Sequence, residues 1–221
     1  MVVMRPEFCW TTFDLTGLLG RNWPNWQQEI ASIADGADVR DFPPTPILTR
    51  EAKGVSSIRR GRVEGGHVQD TLPWLYELYR TDFCELAKLA WADESVEPAG
   101  DDRYGVVLNV QRGTKMRFEC HVDSNPLAGL LFCTDHQEGG ELAFAHDKNA
   151  ASVEAVDQDC SVIRPHAGQL IFFNGRDYPH YARALTSETD TRIVAAMNYY
   201  TKSCPESTRP PVLNRHRFGD A

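Results

Sequence analysis

The spacing of apolar positions changes character near residue 103. Before that point the apolar residues recur at helical intervals. Residues 22–35 place Trp26, Ile30 and Ile33 on one face, with Asn22 as a cap, Pro24 in the first turn and Gly36 as a stop. Residues 72–92 repeat the pattern, with Thr71 as cap, Pro73 in the first turn and a stripe of Leu75, Tyr79, Phe83, Leu86 and Ala90. Such a stripe reads as a core-facing surface. Between the two helices, residues 37–69 carry Pro43-Pro44 and Gly65-Gly66 and read as loops with one or two short strands. Residues 94–103, with Pro98 and Gly100, form a further loop.

After residue 103 the period shortens. Runs rich in β-branched and aromatic residues fall at about 104–110, 116–122, 127–134, 140–145, 160–164, 168–173, 180–185 and 191–200, with turn residues between them. Short strands of this kind predict a β-sandwich, jelly roll or barrel, with the helices packed on one face. No internal repeat and no low-complexity tract is present. Residues 1–203 therefore read as one mainly β domain, in which 1–103 is helical and loop support and 104–203 is the core. Residues 204–221, with three prolines and several arginines, read as a tail, either free or folded over the mouth of a site.

Composition narrows the class. The 221 residues are 42% hydrophobic and 24% charged, which is ordinary for a globular chain. No apolar run approaches the roughly 18–20 residues of a membrane helix. The first residues, Met1 to Pro6, show no secretory pattern, so a cytoplasmic location is expected. A net charge of -8 argues against a nucleic-acid partner, because such binding runs on Lys and Arg. Six cysteines with no Cys-x-x-Cys pair predict free thiols in a reducing compartment, most of them acting as small buried hydrophobes.

Candidate chemistry lies in the β half. His121-Val122-Asp123 puts an imidazole and a carboxylate on one face if the segment is extended, since residues i and i+2 point the same way. His136-Gln137-Glu138 has a similar spacing but runs into Gly139-Gly140 and reads as a turn. His67, His146 and His166 read as loop or rim residues. The segment Gly168-Gln169-Leu170-Ile171-Phe172-Phe173 enters a polar loop that ends on His180. Arg192 follows, opening the strand Ile193 to Tyr200. Two His and one carboxylate leave open positions on a metal, which suits non-haem Fe(II). An inward-facing Arg is costly unless paired, and its planar fork matches a carboxylate.

In this order, His-x-Asp, Gly-Gly-Glu-Leu (139–142), Gly-Gln-Leu-Ile-Phe-Phe (168–173), His and Arg, the chain resembles the Fe(II)/2-oxoglutarate-dependent dioxygenases over roughly residues 104–203. The resemblance is closest to the branch that includes the prolyl hydroxylases. It implies a double-stranded β-helix, a jelly roll with an open mouth. It implies His121, Asp123 and His180 as iron ligands, and Arg192 as the partner of the distal carboxylate of 2-oxoglutarate. It implies Asn109 as a further contact of that co-substrate, and O2 as the second one. Many members carry Ser two residues after the Arg, where this chain has Val194, so the second carboxylate contact is expected elsewhere. Related halogenases replace the metal carboxylate with Gly or Ala. Retention of Asp123 therefore implies hydroxylation, with succinate and CO2 as co-products.

With no peptide-docking or carrier-docking module visible, a small-molecule substrate is expected, such as a free amino acid or a natural-product intermediate. The alternatives are a protein or peptide residue as substrate, and a non-catalytic cupin-like metal-binding protein. Arg112, Arg117, Glu119 and Asn198 are candidate pocket-lining residues, with strand parity left open.

Overall fold

Two strands of this chain, Leu127–Phe132 and Leu142–Ala145, are buried at every position. A strand apolar on both faces has to lie between two covering layers, and that requirement organises the molecule. The computed structural model describes residues 10–218. Its first half runs β1 (Trp10–Asp14), α1 (Thr16–Asn22), α2 (Trp26–Ala34), β2 (Asp38–Phe42), β3 (Ile58–Val63), α3 (Gly65–Thr71), α4 (Pro73–Arg80), α5 (Asp82–Trp91), β4 (Glu97–Pro98) and α6 (Asp102–Gly105). The second half runs β5 (Val106–Arg112), β6 (Leu127–Phe132), β7 (Leu142–Ala145), α7 (Val153–Gln158), β8 (Cys160–Ile163), β9 (Gln169–Phe173), β10 (His180–Ala182), β11 (Thr191–Tyr200) and α8 (Val212–Phe218).

The strands form two antiparallel sheets. The larger has the order β1-β9-β6-β11-β5-β3-β2, with the short β4 also paired to β11. The smaller has the order β10-β7-β8. Side-chain parity separates two cores. Leu131 of β6, Leu170 and Phe172 of β9, Leu108 and Val110 of β5, and Ile193 and Ala195 of β11 face the helices, where Trp26, Ile30, Leu75, Tyr79 and Phe83 meet them. Their neighbours Leu130, Phe132, Ile171, Phe173 and Val194 face inward against Leu142, Phe144 and Ile163 of the small sheet. The architecture is a jelly roll, one of the classes the strand pattern leaves open and the double-stranded β-helix that the resemblance implies, backed on one face by helices.

Several local expectations need correction. The short strands expected within 37–69 are β2 and β3, and they join the large sheet as one edge; β1, which was not anticipated, forms the other. Helix α2 starts at Trp26, and Asn22 closes the preceding α1. Pro24 has no N–H to continue a helix, and Gly17 and Gly20 hid α1 from the apolar pattern. The stripe over 72–92 is split at Thr81, whose hydroxyl donates back to the Glu77 carbonyl (2.8 Å) while its backbone leaves helical geometry. Helix α7 was not anticipated. Residues 116–122 form no strand, for a reason given below. Of the two readings of the C-terminal segment, residues 204–218 take the folded one: α8 folds back and buries Leu213 against Leu48 and Val122. Five cysteines are free thiols, while Cys9 lies outside the described residues. Among the described residues no helix is long and apolar enough to cross a membrane.

The two-core arrangement makes a separable prediction. Leu131 is fully buried on the helix-facing side. Leu131→Ala should lower unfolding free energy by about 2–5 kcal/mol in urea denaturation. Divalent-metal affinity at the opposite face should stay at the wild-type value.

Candidate active site

Residues 116–123 are extended, yet their backbone groups bond to many different neighbours. Phe118 N–H donates to the Ala182 carbonyl (3.1 Å), His121 to His180 (3.0 Å), Val122 to Leu48 (3.0 Å) and Asp123 to Gly175 (2.8 Å). Cys120 N–H donates to the Glu51 carboxylate (2.6 Å). A segment that changes partner at nearly every residue makes no ladder, so it is not a regular strand. The extended backbone still keeps His121 and Asp123 on one side, as the His-x-Asp spacing requires. Reciprocal bonds between His121 and His180 (3.0 and 2.9 Å) bring the third residue alongside.

Both imidazoles are fixed in the same tautomer. His121 Nδ1 lies 2.7 Å from the Glu119 carbonyl and His180 Nδ1 lies 3.0 Å from the Tyr178 carbonyl. A carbonyl only accepts, so each Nδ1 carries a proton and each Nε2 is left as the nitrogen available to a metal. Those Nε2 atoms lie 3.4 and 3.7 Å from the two Asp123 oxygens. The donor atoms of all three residues lie within 4.8 Å of one another. Burial pushes the His180 imidazole down to about 4, so it stays neutral and able to ligate. Burial opposes ionisation of Asp123, yet the two imidazoles keep its carboxyl below the ordinary range. Burial opposes protonation of His121 too, but Asp123 and Glu119 outweigh it and raise this imidazole, so metal binding there displaces a proton. Two imidazoles and one carboxylate form a donor set that fits Fe(II). Gly175 leaves the space: a Cβ there would overlap Asp123 Oδ2.

A cavity connects this cluster to Arg192. Phe173, Leu130, Leu142 and Val194 supply apolar walls, and Asn109 and Asn198 supply amides. Arg192 is 2% exposed. Nη1 donates to Gln111 Oε1 (3.0 Å), while Nε is buried without a hydrogen-bond partner. Burial lowers its pKa to about 10, with no carboxylate in contact to offset the cost. A buried, incompletely satisfied guanidinium in the same cavity as a metal-type donor set fits a ligand with two carboxyl groups.

Asn198 is the only one of the four residues proposed as pocket lining that lines either chamber of the site. Arg112 turns outward to the Ala34 carbonyl and Asp35, and Arg117 pairs with Glu51. Glu119 is buried against Thr45, accepting from its N–H (2.6 Å) and hydroxyl (2.7 Å). Cys120 is buried, and its thiol is pushed up to about 12. Two contributors were missed by sequence reasoning. Gln111 lies opposite Arg192 in the β5–β11 register and holds it. Gly140, at φ +70°, lies where a Cβ would come within 2.8 Å of Arg192 Cδ. The Gly139-Gly140 pair was a visible signal for a close approach. Gln111 carried none, because register is not readable from one strand alone.

The model of the 2OG-Fe(II) oxygenase superfamily matches residues 106–200, the span that holds His121, Asp123, His180, Arg192, Asn109 and Gln111. Among solved structures, the non-heme alpha ketoglutarate dependent epimerase SnoN from nogalamycin biosynthesis aligns over 97% of this chain and 87% of its own, with 12% identity and a TM-score of 0.63. AviO1 from Streptomyces viridochromogenes Tue57 aligns over 82% and 87%, with 16% identity and a TM-score of 0.56. A prolyl hydroxylase from Trichoplax adhaerens, solved with a hypoxia inducible factor peptide, aligns over 89% and 84%, with 12% identity and a TM-score of 0.56. At these identities the likeness is one of fold. No curated protein matches the chain. Iron and 2-oxoglutarate are the cofactors supported jointly by the superfamily match and the His-Asp-His cluster.

Two variants test the centre by metal binding alone. His180→Ala should cut Co(II) or Fe(II) affinity by about two orders of magnitude or more, since a chelating ligand is lost. Gly175→Ala should displace Asp123 and weaken the same affinity while the circular dichroism spectrum is retained. Wild-type metal affinity in both would remove the assignment.

Proposed function

We propose that this protein is an Fe(II)/2-oxoglutarate-dependent oxygenase that hydroxylates a small molecule. The observation that carries the reading is the buried Arg192, short of a partner, in one cavity with the His121, Asp123 and His180 donors. In this reading the three donors hold the iron and Arg192 receives the distal carboxylate of 2-oxoglutarate. Bound iron, 2-oxoglutarate and O2 together supply oxidative decarboxylation to succinate and CO2, coupled to oxidation of a substrate C–H bond.

The chain's own contribution is positioning and dryness. The Glu119 and Tyr178 carbonyls hold both imidazoles in the ligating tautomer. Gln111 fixes the Arg192 fork, and Val194 stands where many members of the resembled family have Ser. Gln111 itself is held by bonds from its Nε2 to the Met116 and Arg183 carbonyls (3.2 and 2.8 Å). The apolar walls around Phe173 and Leu130 keep water from the charged groups, which strengthens their fields. Asn109 and Asn198 offer amide contacts at the junction with an outer chamber.

Retention of Asp123 favours hydroxylation over halogenation, because no ligand position is freed for a halide. A small-molecule substrate is favoured by the narrow outer chamber, which Arg217 of α8 lines beside the donors. The epimerase SnoN carries the same fold. Product analysis therefore has to separate a hydroxylated product from an epimer and from a modified peptide.

Anaerobic Fe(II) with 2-oxoglutarate should give a weak visible charge-transfer band. Arg192→Gln should weaken 2-oxoglutarate binding by about two orders of magnitude, the cost of losing a buried charge-assisted pair. Asp123→Gly should abolish succinate release and hydroxylation together. No band, and no succinate with any pool of amino acids and small metabolites, would favour the non-catalytic metal-binding alternative. Hydroxylation by Asp123→Gly at the wild-type rate would overturn the ligand assignment.

A further inference from the structure

We infer that the outer chamber is an oxyanion subsite, in which Arg60, Arg62 and Arg217 receive a carboxylate or phosphate group of the substrate beside the metal centre. Only the identification of that anion's owner as the substrate rests on the oxygenase reading.

Two chambers meet at the metal donors. The inner one ends on Arg192 and the outer one on Arg60, Arg62 and Arg217. Both are lined by His121, Asp123, Asn109 and Asn198, so a molecule in the outer chamber lies next to the donors without reaching Arg192. Arg60 and Arg62 project from one face of β3, two residues apart. Arg62 is registered directly opposite Asn109 of β5.

These arginines are built in, not surface charges. The Arg62 side chain is 8% exposed. The Nε atoms of Arg60 and Arg62 are both buried with no hydrogen-bond partner. The Arg60 guanidinium sits between the Phe42 ring (4.9 Å) and the Phe118 ring (5.6 Å). Arg217 lies over Tyr104 (5.3 Å) and Arg62 over Phe218 (5.8 Å). Aromatic faces hold a guanidinium in place while leaving its N–H edge available.

Nearby carboxylates do not satisfy the cluster. Glu64 reaches Arg62 Nη2 (2.9 Å), but its side chain is 48% exposed. Both Glu119 oxygens are engaged by Thr45, and Asp123 faces the two imidazoles. Burial, followed by the charge of Arg217, lowers Arg62 to about 9. Gathering three cations in a partly dry chamber is unfavourable unless an anion joins them. Forked N–H donors suit an oxyanion with two or more oxygens. Arg217 comes from α8, so the subsite is complete only with the C-terminal helix docked.

The probes are inorganic phosphate and acetate, titrated calorimetrically into the full-length protein with and without saturating 2-oxoglutarate. Wild type should bind one of them saturably at a single site whether or not 2-oxoglutarate is present. Arg62→Gln and, separately, Arg217→Ala should weaken that binding by about tenfold or more. Arg192→Gln should leave it intact. Arg217, on a peripheral helix, keeps the test decisive if Arg62→Gln fails to fold. Preference for acetate assigns a carboxylate and preference for phosphate assigns a phosphate ester. No saturable uptake of either probe overturns the inference, as does binding that survives both variants. Loss of binding in Arg192→Gln alone also overturns it. If phosphate or acetate binds as described while the Fe(II)/2-oxoglutarate band is absent, the subsite stands and the oxygenase reading falls.

Discussion

The backbone pairing of His121 with His180 is the constraint on which the site depends. Two reciprocal hydrogen bonds tie an irregular segment to β10, the edge of the small sheet. The same bonds set the spacing between the two imidazoles. From there the carbonyls two residues upstream, Glu119 and Tyr178, can each engage an Nδ1. The two His share one device: each bonds the carbonyl at i−2, so backbone alone orients both rings. Asp123 is placed by its own N–H on the Gly175 carbonyl and by the missing side chain at Gly175.

Around that pairing the interior is graded in charge. The helix-facing side of the large sheet is an ordinary hydrophobic core with Tyr79 and Tyr199 as its main polar tips. The inward side begins apolar at Phe132, Phe144 and Ile171 and becomes charged toward β5 and β3. Arg192 and the Arg60, Arg62 and Arg217 group lie at two ends of the connected chambers, with the His121, Asp123 and His180 cluster between them. A chain with net charge -8 thus concentrates positive charge where it folds around its cavity. Local burial outweighs the global sign, because a desolvated charge acts through a lower effective dielectric than an exposed one.

The helices and the C-terminal segment have distinct physical jobs. α2, α4 and α5 cover the face of the large sheet that would otherwise expose Leu131, Phe172 and Ile193. α8 covers the mouth. Its Leu213 packs on Val122, the residue between two of the metal-type donors, and its Arg217 lines the outer chamber. The closing helix and the donor segment therefore share one small hydrophobic contact.

The sequence alone determined the strand-rich second half and the helical stripes, and the His-x-Asp, His and Arg motifs that carry the family resemblance marked His121, Asp123, His180 and Arg192. Those features are local: period, turn residues and chemical type at fixed spacing are all written along one stretch of chain. Three things required the tertiary structure. Arg60 and Arg62 were not singled out, because nothing in 37–69 reveals which of its residues form β3 or that β3 joins the sheet beside Asn109. Gln111 gained its role from register across β5 and β11, and Arg217 from the return of α8. Arg112 and Arg117 read as candidate pocket lining, yet one turns to Asp35 and the other to Glu51. Residue type is a property of the chain, whereas which face a side chain takes, and what waits for it there, depends on partners distant in sequence.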